Sequence, residues 1–309
     1  MENDMLIVTG ASGFIGSHLT EALRRGGREF AVSGRNPIPG HDTRFLPASR
    51  LAESDVRPDC IIHLAGSASL PREPGIDPVV TFRNANTAFP LSIARAFARQ
   101  GTRRFVFLSS IGVLGNETAP GCRFNEKSRP TPHNAYAKSK LEAEEGLKTI
   151  ASETGMDVVI VRPPLVYGAG AKGSFASLLG WLEKGLPLPL GAVHNRRSLV
   201  GVDNLVDLIL TTIDHPKAAN RTFLVSDDED LSTSELLRRT AAAMGRPARL
   251  LPVPTPLLSG AARLLGKSTL ARSLLSSLQL DIASTRDTLA WHPPLTVTEG
   301  LARAVRRDA

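Results

Sequence analysis

The sequence predicts an α/β fold built on a doubly wound parallel sheet with a smaller C-terminal lobe. Three observations carry that prediction. Apolar runs of strand length alternate with helical stretches through most of the 309 residues. The first run, Leu6-Ile7-Val8, leads into a glycine turn, Thr9-Gly10-Ala11-Ser12-Gly13-Phe14-Ile15-Gly16, and then a helix ending at Gly26-Gly27. Apolar residues make up 42% of the chain, enough for a large core and a second, smaller one.

Taken in order, the elements are as follows. In the glycine turn, Gly10 permits the bend, Gly13 leaves room for a pyrophosphate against the backbone, and Gly16 lets the helix pack close to the sheet. The helix N-terminus then faces the phosphates. Residues 29–33 read as a second strand, followed by Gly34-Arg35. A site for the unphosphorylated dinucleotide usually ends this strand in an acid, whereas an arginine nearby suits the 2′-phosphate. Here no acid is present and Arg35 is, which favours NADP(H), with NAD(H) as the alternative. Phe45-Leu46 marks a third strand, and 60–66 a fourth that ends in Leu64-Ala65-Gly66, small enough for a cofactor to pass close by. His63 alternates with apolar neighbours and is expected to be packed. Residues 67–78 read as a loop and 81–100 as a helix interrupted near Pro90. A fifth strand, Arg104 to Ser110, carries two hydroxyls at its carboxyl end, where open α/β sheets bind ligands. A sixth spans 157–162 and ends at Pro163-Pro164.

Composition excludes several classes. The formal charge is +7, from 37 basic and 30 acidic residues, without a dense basic run interleaved with aromatics, so nucleic-acid binding is not expected. No run is long and apolar enough to span a membrane. The chain starts almost at once on a strand, so no signal peptide is expected, and Cys60 and Cys122 lack metal-ligand spacing. These features point to a cytoplasmic protein without a metal.

The chemistry centres on Tyr136-Ala-Lys-Ser-Lys140. On a helix, residues four apart share a face. A free phenol, with a pKa of about 10, is a poor base at neutral pH, and a nearby ammonium favours its ionised form. A tuned phenol suits proton transfer to or from a carbonyl or alcohol. Ser110 can hold the substrate oxygen beside it.

The glycine turn, Leu64-Ala65-Gly66, Asn86, Phe105 to Ser110, Tyr136-x-x-x-Lys140 and Val161-Arg-Pro-Pro-Leu-Val-Tyr-Gly168 stand in the order and spacing of a known family. The chain resembles the extended short-chain dehydrogenase/reductases, in the nucleotide-sugar epimerase/dehydratase group, nearly end to end. The resemblance implies a Rossmann-type domain over 1–166 and about 196–226, with a substrate lobe from 167–195 and 227–309. It makes Ser110, Tyr136 and Lys140 the catalytic triad, with Lys140 lowering the tyrosine pKa and bonding the nicotinamide ribose. Cofactor contacts are expected from Gly10, Ser12, Gly13, Phe14, Ile15, Gly16, Arg35, Leu64, Ala65, Gly66, Asn86, Ser109, Tyr136, Lys140 and Pro163. Substrate contacts are expected from Ser110 and from Arg196 and Arg197, which take the place of a diphosphate arginine. A second diphosphate arginine does not stand in a clear motif. Residues 248–282, rich in Leu, Ser and Ala, have helical faces for which a membrane surface is the alternative, but the segment is short of aromatics, so a lid or the core of the substrate lobe is expected, without membrane insertion.

The family's dehydratases carry an Asp-Glu pair just after the strand-end residue; Ile111-Gly112 stands there instead, which argues against dehydration. The expected activity is NAD(P)-dependent chemistry at C4 of a UDP-sugar, foremost reduction of a UDP-4-keto-6-deoxy-N-acetylhexosamine for surface polysaccharide. The segment 188–207 resembles bacterial reductases of that kind. A UDP-glucose or UDP-N-acetylglucosamine 4-epimerase is the alternative. A non-enzymatic NADP-binding sensor is the reading from another class, and the Tyr136–Lys140 pair speaks against it. The family often pairs through two helices, here about 84–99 and 134–152, so a homodimer is expected.

Overall fold

The computed structural model describes residues 5–38, 43–68 and 77–306. The chain start, on which the signal-peptide expectation rests, and most of the loop expected over 67–78 lie outside them.

Seven parallel strands form the main sheet: β1 (Leu6–Thr9), β2 (Phe30–Gly34), β3 (Phe45–Pro47), β4 (Cys60–His63), β5 (Arg104–Leu108), β6 (Asp157–Arg162) and β9 (Arg221–Leu224). Their order is β3-β2-β1-β4-β5-β6-β9, so the winding reverses between β1 and β4. Strand side chains alternate in direction, and both faces are covered. Leu6, Val8, Val106 and Val161 face one core, with α1 (Phe14–Arg25) and α6 (Val202–Asp214) over it. Ile7, Phe105, Phe107 and Ile160 face the other, beneath α3 (Phe89–Arg99) and α4 (Ala135–Thr154).

The expected helix over 81–100 is three pieces. α2 (Pro78–Arg83) runs through a π turn at Asn84–Ala88 into α3. Pro90 has no N–H to return to the Asn86 carbonyl, so the helix widens by one residue there.

A second, three-stranded sheet joins β7 (Leu165–Tyr167), β8 (Arg197–Gly201) and β10 (Asp230–Leu231) in the order β10-β8-β7. With α5 (Ser174–Glu183), α7 (Thr233–Ala243) and α11 (Val297–Ala304) it encloses a third core around Phe175, Leu199, Leu237 and Leu301. Two segments join the parts of the molecule. β8 pairs within the small sheet while its Val200 packs into the large core. Leu278, Leu280, Ile282, Leu289 and Trp291, from the C-terminal segment that includes α10 (Ala283–Leu289), pack into the large core.

α8 (Thr255–Leu264) and α9 (Ser268–Leu275) contain no fully buried residue and reach the third core only through the partly buried Leu258, Leu274 and Leu275, so they cover it rather than form it.

Candidate active site

Glycine geometry builds the first wall. Gly10 sits at φ +74°, and a Cβ there would stand 2.6 Å from the Ala65 nitrogen. A Cβ on Gly16 would stand 2.7 Å from Ala11 Cα, so only glycine lets α1 start this close to the turn. The Gly13 amide donates to the Gly10 carbonyl at 2.9 Å. Gly13 caps α1 without a side-chain hydrogen bond, which leaves the first helical amides open to an anion. Ser12 and Gly13 are exposed, whereas Phe14 and Ile15 are half-buried against the large core. A backbone cradle with no side chain in it fits a dinucleotide pyrophosphate.

The end of β4 forms the floor. The Ala65 amide donates to Thr9 Oγ1 at 3.3 Å, and the same hydroxyl lies 3.0 Å from His63 Nδ1. His63 is fully buried between Phe89, Phe105 and Phe107. Burial first, and then the Lys140 charge, push its pKa down to about 3. It is packed, as expected. Leu64 and Ala65 are half-buried and Gly66 is exposed. A Cβ on Gly66 would meet Asn86 Oδ1 at 2.9 Å and Lys140 Nζ at 3.3 Å. Asn86 is buried and brackets this loop: it accepts from the Ser67 amide at 2.8 Å and donates to the Ser67 carbonyl and Ser139 Oγ, both at 3.0 Å. Its amide is therefore engaged inside the protein.

β5 and α4 bring the reactive groups together. Asn134 caps α4, its side chain accepting from the Ala137 amide at 2.8 Å, which starts the helix one residue before Tyr136. Ser110 Oγ accepts from the Gly112 amide at 3.1 Å and also hydrogen-bonds the Tyr136 phenol. Lys140 is buried one turn further along and donates to the Leu108 carbonyl at 2.8 Å, its nitrogen 4.5 Å above the Phe107 ring. Burial pushes Lys140 down to about 8, against the pull of Glu144. Burial also raises the Tyr136 phenol, and the Ser110 bond only partly offsets this. The net shift of the phenol is upward, and the Lys140 ammonium is held on the Leu108 carbonyl.

Ser109, expected beside the cofactor, turns instead into the protein and donates to Glu144 Oε1 at 2.5 Å. Glu144 is fully buried, with Arg162 Nε 3.0 Å from the same oxygen and a second guanidinium nitrogen on Oε2. This pair ties β6 to α4 one turn beyond Lys140. Pro163 is buried and its carbonyl accepts from the Ile111 amide at 2.9 Å.

Arg35 follows β2 and is exposed at its carboxyl end. Arg197 opens β8, half-buried, and donates to the Ser276 carbonyl at 2.8 Å; burial lowers its pKa. Arg196 stays exposed. The two guanidiniums have unlike surroundings.

One neighbour, His133, carries no signal in the sequence beyond turn chemistry, whereas Arg263 and Arg272 stand there as candidates for the second diphosphate arginine without a clear motif. His133 lies beside Gly112 and is held below the ordinary imidazole range by burial and by the Arg272 charge, against a Gly112 backbone bond. Arg272 and Arg263 line a cavity of about 190 Å³ that reaches Ser276, the residue that holds Arg197. The small sheet and C-terminal segment are locked by a third buried network: Tyr167 donates to Asp227 at 2.7 Å, and Asn204 donates to Asp227 at 2.7 Å and to the Leu295 carbonyl at 2.8 Å.

A doubly wound parallel sheet with a hydroxyl, a phenol and a buried ammonium at its carboxyl edge defines a short-chain dehydrogenase/reductase. Residues 6–226 match the NAD dependent epimerase/dehydratase family. The UDP-glucose 4-epimerase of Vibrio cholerae is 38% identical, over 97% of this chain and 94% of that protein. The GDP-6-deoxy-D-mannose reductase of Pseudomonas aeruginosa is 27% identical, over 98% of this chain and 96% of its own. The structure of RMD from Pseudomonas aeruginosa complexed with NADPH superposes with a TM-score of 0.75 at 23% identity, covering 97% of this chain and 98% of that one. The chain belongs to the NAD dependent epimerase/dehydratase family and is an enzyme of its nucleotide-sugar epimerase and reductase group. Among the described residues no helix is long and apolar enough to cross a membrane.

Proposed function

We propose that the protein is an NADPH-dependent reductase of a 4-keto sugar carried on UDP, with a 4-keto-6-deoxy-N-acetylhexosamine as its sugar. The observation that carries the coenzyme choice is the end of β2, where Ser33-Gly34 is followed by an exposed Arg35 and no carboxylate. Support for the direction comes from Tyr136. Burial holds its phenol protonated at neutral pH, which is the form that gives a proton to a ketone.

In this reading the Gly10–Gly16 turn and the start of α1 hold the pyrophosphate, and Arg35 holds the 2′-phosphate. Leu64 to Gly66 lie along the dinucleotide, with Asn86 fixing that loop from behind. Lys140 and the carbonyl of Pro163 face the nicotinamide half. When bound, the dinucleotide supplies hydride to sugar C4. Ser110 holds the C4 oxygen and Tyr136 gives it a proton. Lys140 places a positive charge on the same helix face and stabilises the phenolate left behind. Arg197 meets the diphosphate, with Arg196 at its exposed edge. The similarity to a protein named UDP-glucose 4-epimerase favours a second reading, in which the same groups oxidise and re-reduce C4 with one retained NAD.

Nicotinamide absorbance separates the two. With NADPH and UDP-4-keto-6-deoxy-N-acetylglucosamine, the reductase consumes one coenzyme per sugar. Arg35→Ser is then expected to raise the KM for NADPH about tenfold or more while sparing NADH, as loss of a charged hydrogen bond would. Zero consumption, together with interconversion of UDP-N-acetylglucosamine and its C4 epimer, would establish the epimerase instead.

A further inference from the structure

The helical hairpin α8–α9 carries an unusual surface. Eight large apolar side chains are exposed among the described residues, and five of them, Leu251, Leu257, Leu264, Leu265 and Leu270, fall between 251 and 270. Exposure peaks at the end of α8: Leu264 is 91% exposed and its C-cap Leu265 70%. Beside it, Leu190, Leu258, Ala262, Leu270 and Leu274 line a cavity of about 180 Å³ with Lys267 at its edge. The apolar surface is thus an exposed helix end with a greasy recess beside it, not scattered single residues.

Charge is concentrated in the same stretch. From 236 to 280 there are seven arginines and lysines and no aspartate or glutamate, which equals the formal +7 of the whole chain. Three of the seven are spent locally. Arg239 pairs with Glu229 and Glu235, and Arg238 and Arg246 donate to the carbonyls of Gly191 and Glu183. Arg249, Arg263, Lys267 and Arg272, around the hairpin, have no ion pair among the described residues.

We propose that the α8–α9 hairpin docks the protein reversibly on an anionic bilayer surface, with Leu264 and Leu265 entering the acyl boundary and the basic residues, foremost Lys267, meeting lipid phosphates. Exposed leucines beside unpaired cations match that interface, where apolar area and charge attraction add. A second copy of the chain fits poorly. A twofold contact would set this patch against itself, cation on cation, with no acidic residue between 236 and 280 to relieve it. Nucleic acid fits poorly too, because exposed leucines gain nothing from a phosphate backbone and the segment offers no aromatic ring for stacking. The inference is independent of which sugar the enzyme reduces.

Co-sedimentation of the full chain with phosphatidylcholine vesicles, with and without phosphatidylglycerol, tests it. Binding is expected to be about tenfold tighter on the anionic vesicles and to weaken at high salt. The double variant Leu264→Ser/Leu265→Ser is expected to lose it while keeping its thermal midpoint and its turnover of soluble substrate, since both side chains already face water. Lys267→Glu, which leaves the leucines in place, is expected to reduce only the anionic preference. Failure to pellet with either vesicle overturns the proposal, as does undiminished binding by the leucine variant. A concentration-dependent dimer that the leucine variant dissociates, without vesicle binding, would assign the face to a second copy. Retention of a polyisoprenyl diphosphate from detergent, again without vesicle binding, would assign it to a ligand's tail.

Discussion

Tyr136 shows how one phenol's surroundings decide what it does. The spacing to Lys140 was readable, because a four-residue step is a property of any helix. Its electrostatic balance was not. Burial, the Phe82 ring against its edge and the Ser110 bond come from three separate segments, and their sum holds the phenol above its usual pKa. Tyr136→Phe keeps that packing and removes only the transferable proton. Turnover is expected to fall by about a hundred- to ten-thousandfold with little change in thermal midpoint, read by steady-state kinetics and calorimetry. Ser109 shows the opposite failure of sequence reasoning. The two serines follow the strand and take different partners, Ser110 at the start of the next turn beside Tyr136 and Ser109 inward on Glu144. The role of Glu144 depends on Arg162 from a different strand and leaves no local signature.

Helices and strands were legible where their apolar period was strong. β1, α1, β4, β5, α4 and β6 all fall within a few residues of where pattern and turn chemistry put them. The sheet to which β8 belongs was not legible, because a five-residue strand carries no mark of which neighbour it pairs with. The π turn at Asn84–Ala88 was half visible: Pro90 announced a break, but not that the helix would continue through it. This widened turn sets the angle at which Asn86 meets Ser67. Pro90→Ala restores a donor for the Asn86 carbonyl and is expected to tighten the turn toward α geometry, swinging the Asn86 side chain off the loop. Amide exchange at Ser67 should quicken, and coenzyme should bind more weakly, while overall stability changes by no more than about 1 kcal/mol.

At the scale of the molecule, two buried bases tie stability to pH. Lys140 titrates near 8 in the folded protein against a usual 10.5, because burial disfavours its charge. Between those values the unfolded chain binds the extra proton, so stability rises with pH across that window. The rise is worth roughly 3 kcal/mol, and Lys140→Met is expected to abolish it in denaturant titrations and to stabilise the protein below pH 8. His63, held at about 3 against 6.5, acts in the same sense at acid pH: its contribution is lost as pH falls below 6.5. The fold class and family pattern were legible because they rest on order and spacing. The lobe's network through Asp227, Tyr167, Asn204 and Leu295 was not, because its members are far apart in the chain.

The interleaving of the two sheets sets the order in which the chain can finish folding as it is made. β6 leaves the ribosome well before its partner β9, with β7, α5, β8 and α6 between them. The apolar face under Val159 and Val161 is completed only when Leu278 to Trp291 arrive. A nascent chain therefore waits with an open parallel edge and an uncovered core, the condition in which slow non-local pairing invites misassembly. The coenzyme-binding half, first in the sequence, is among the last parts of the molecule to become whole.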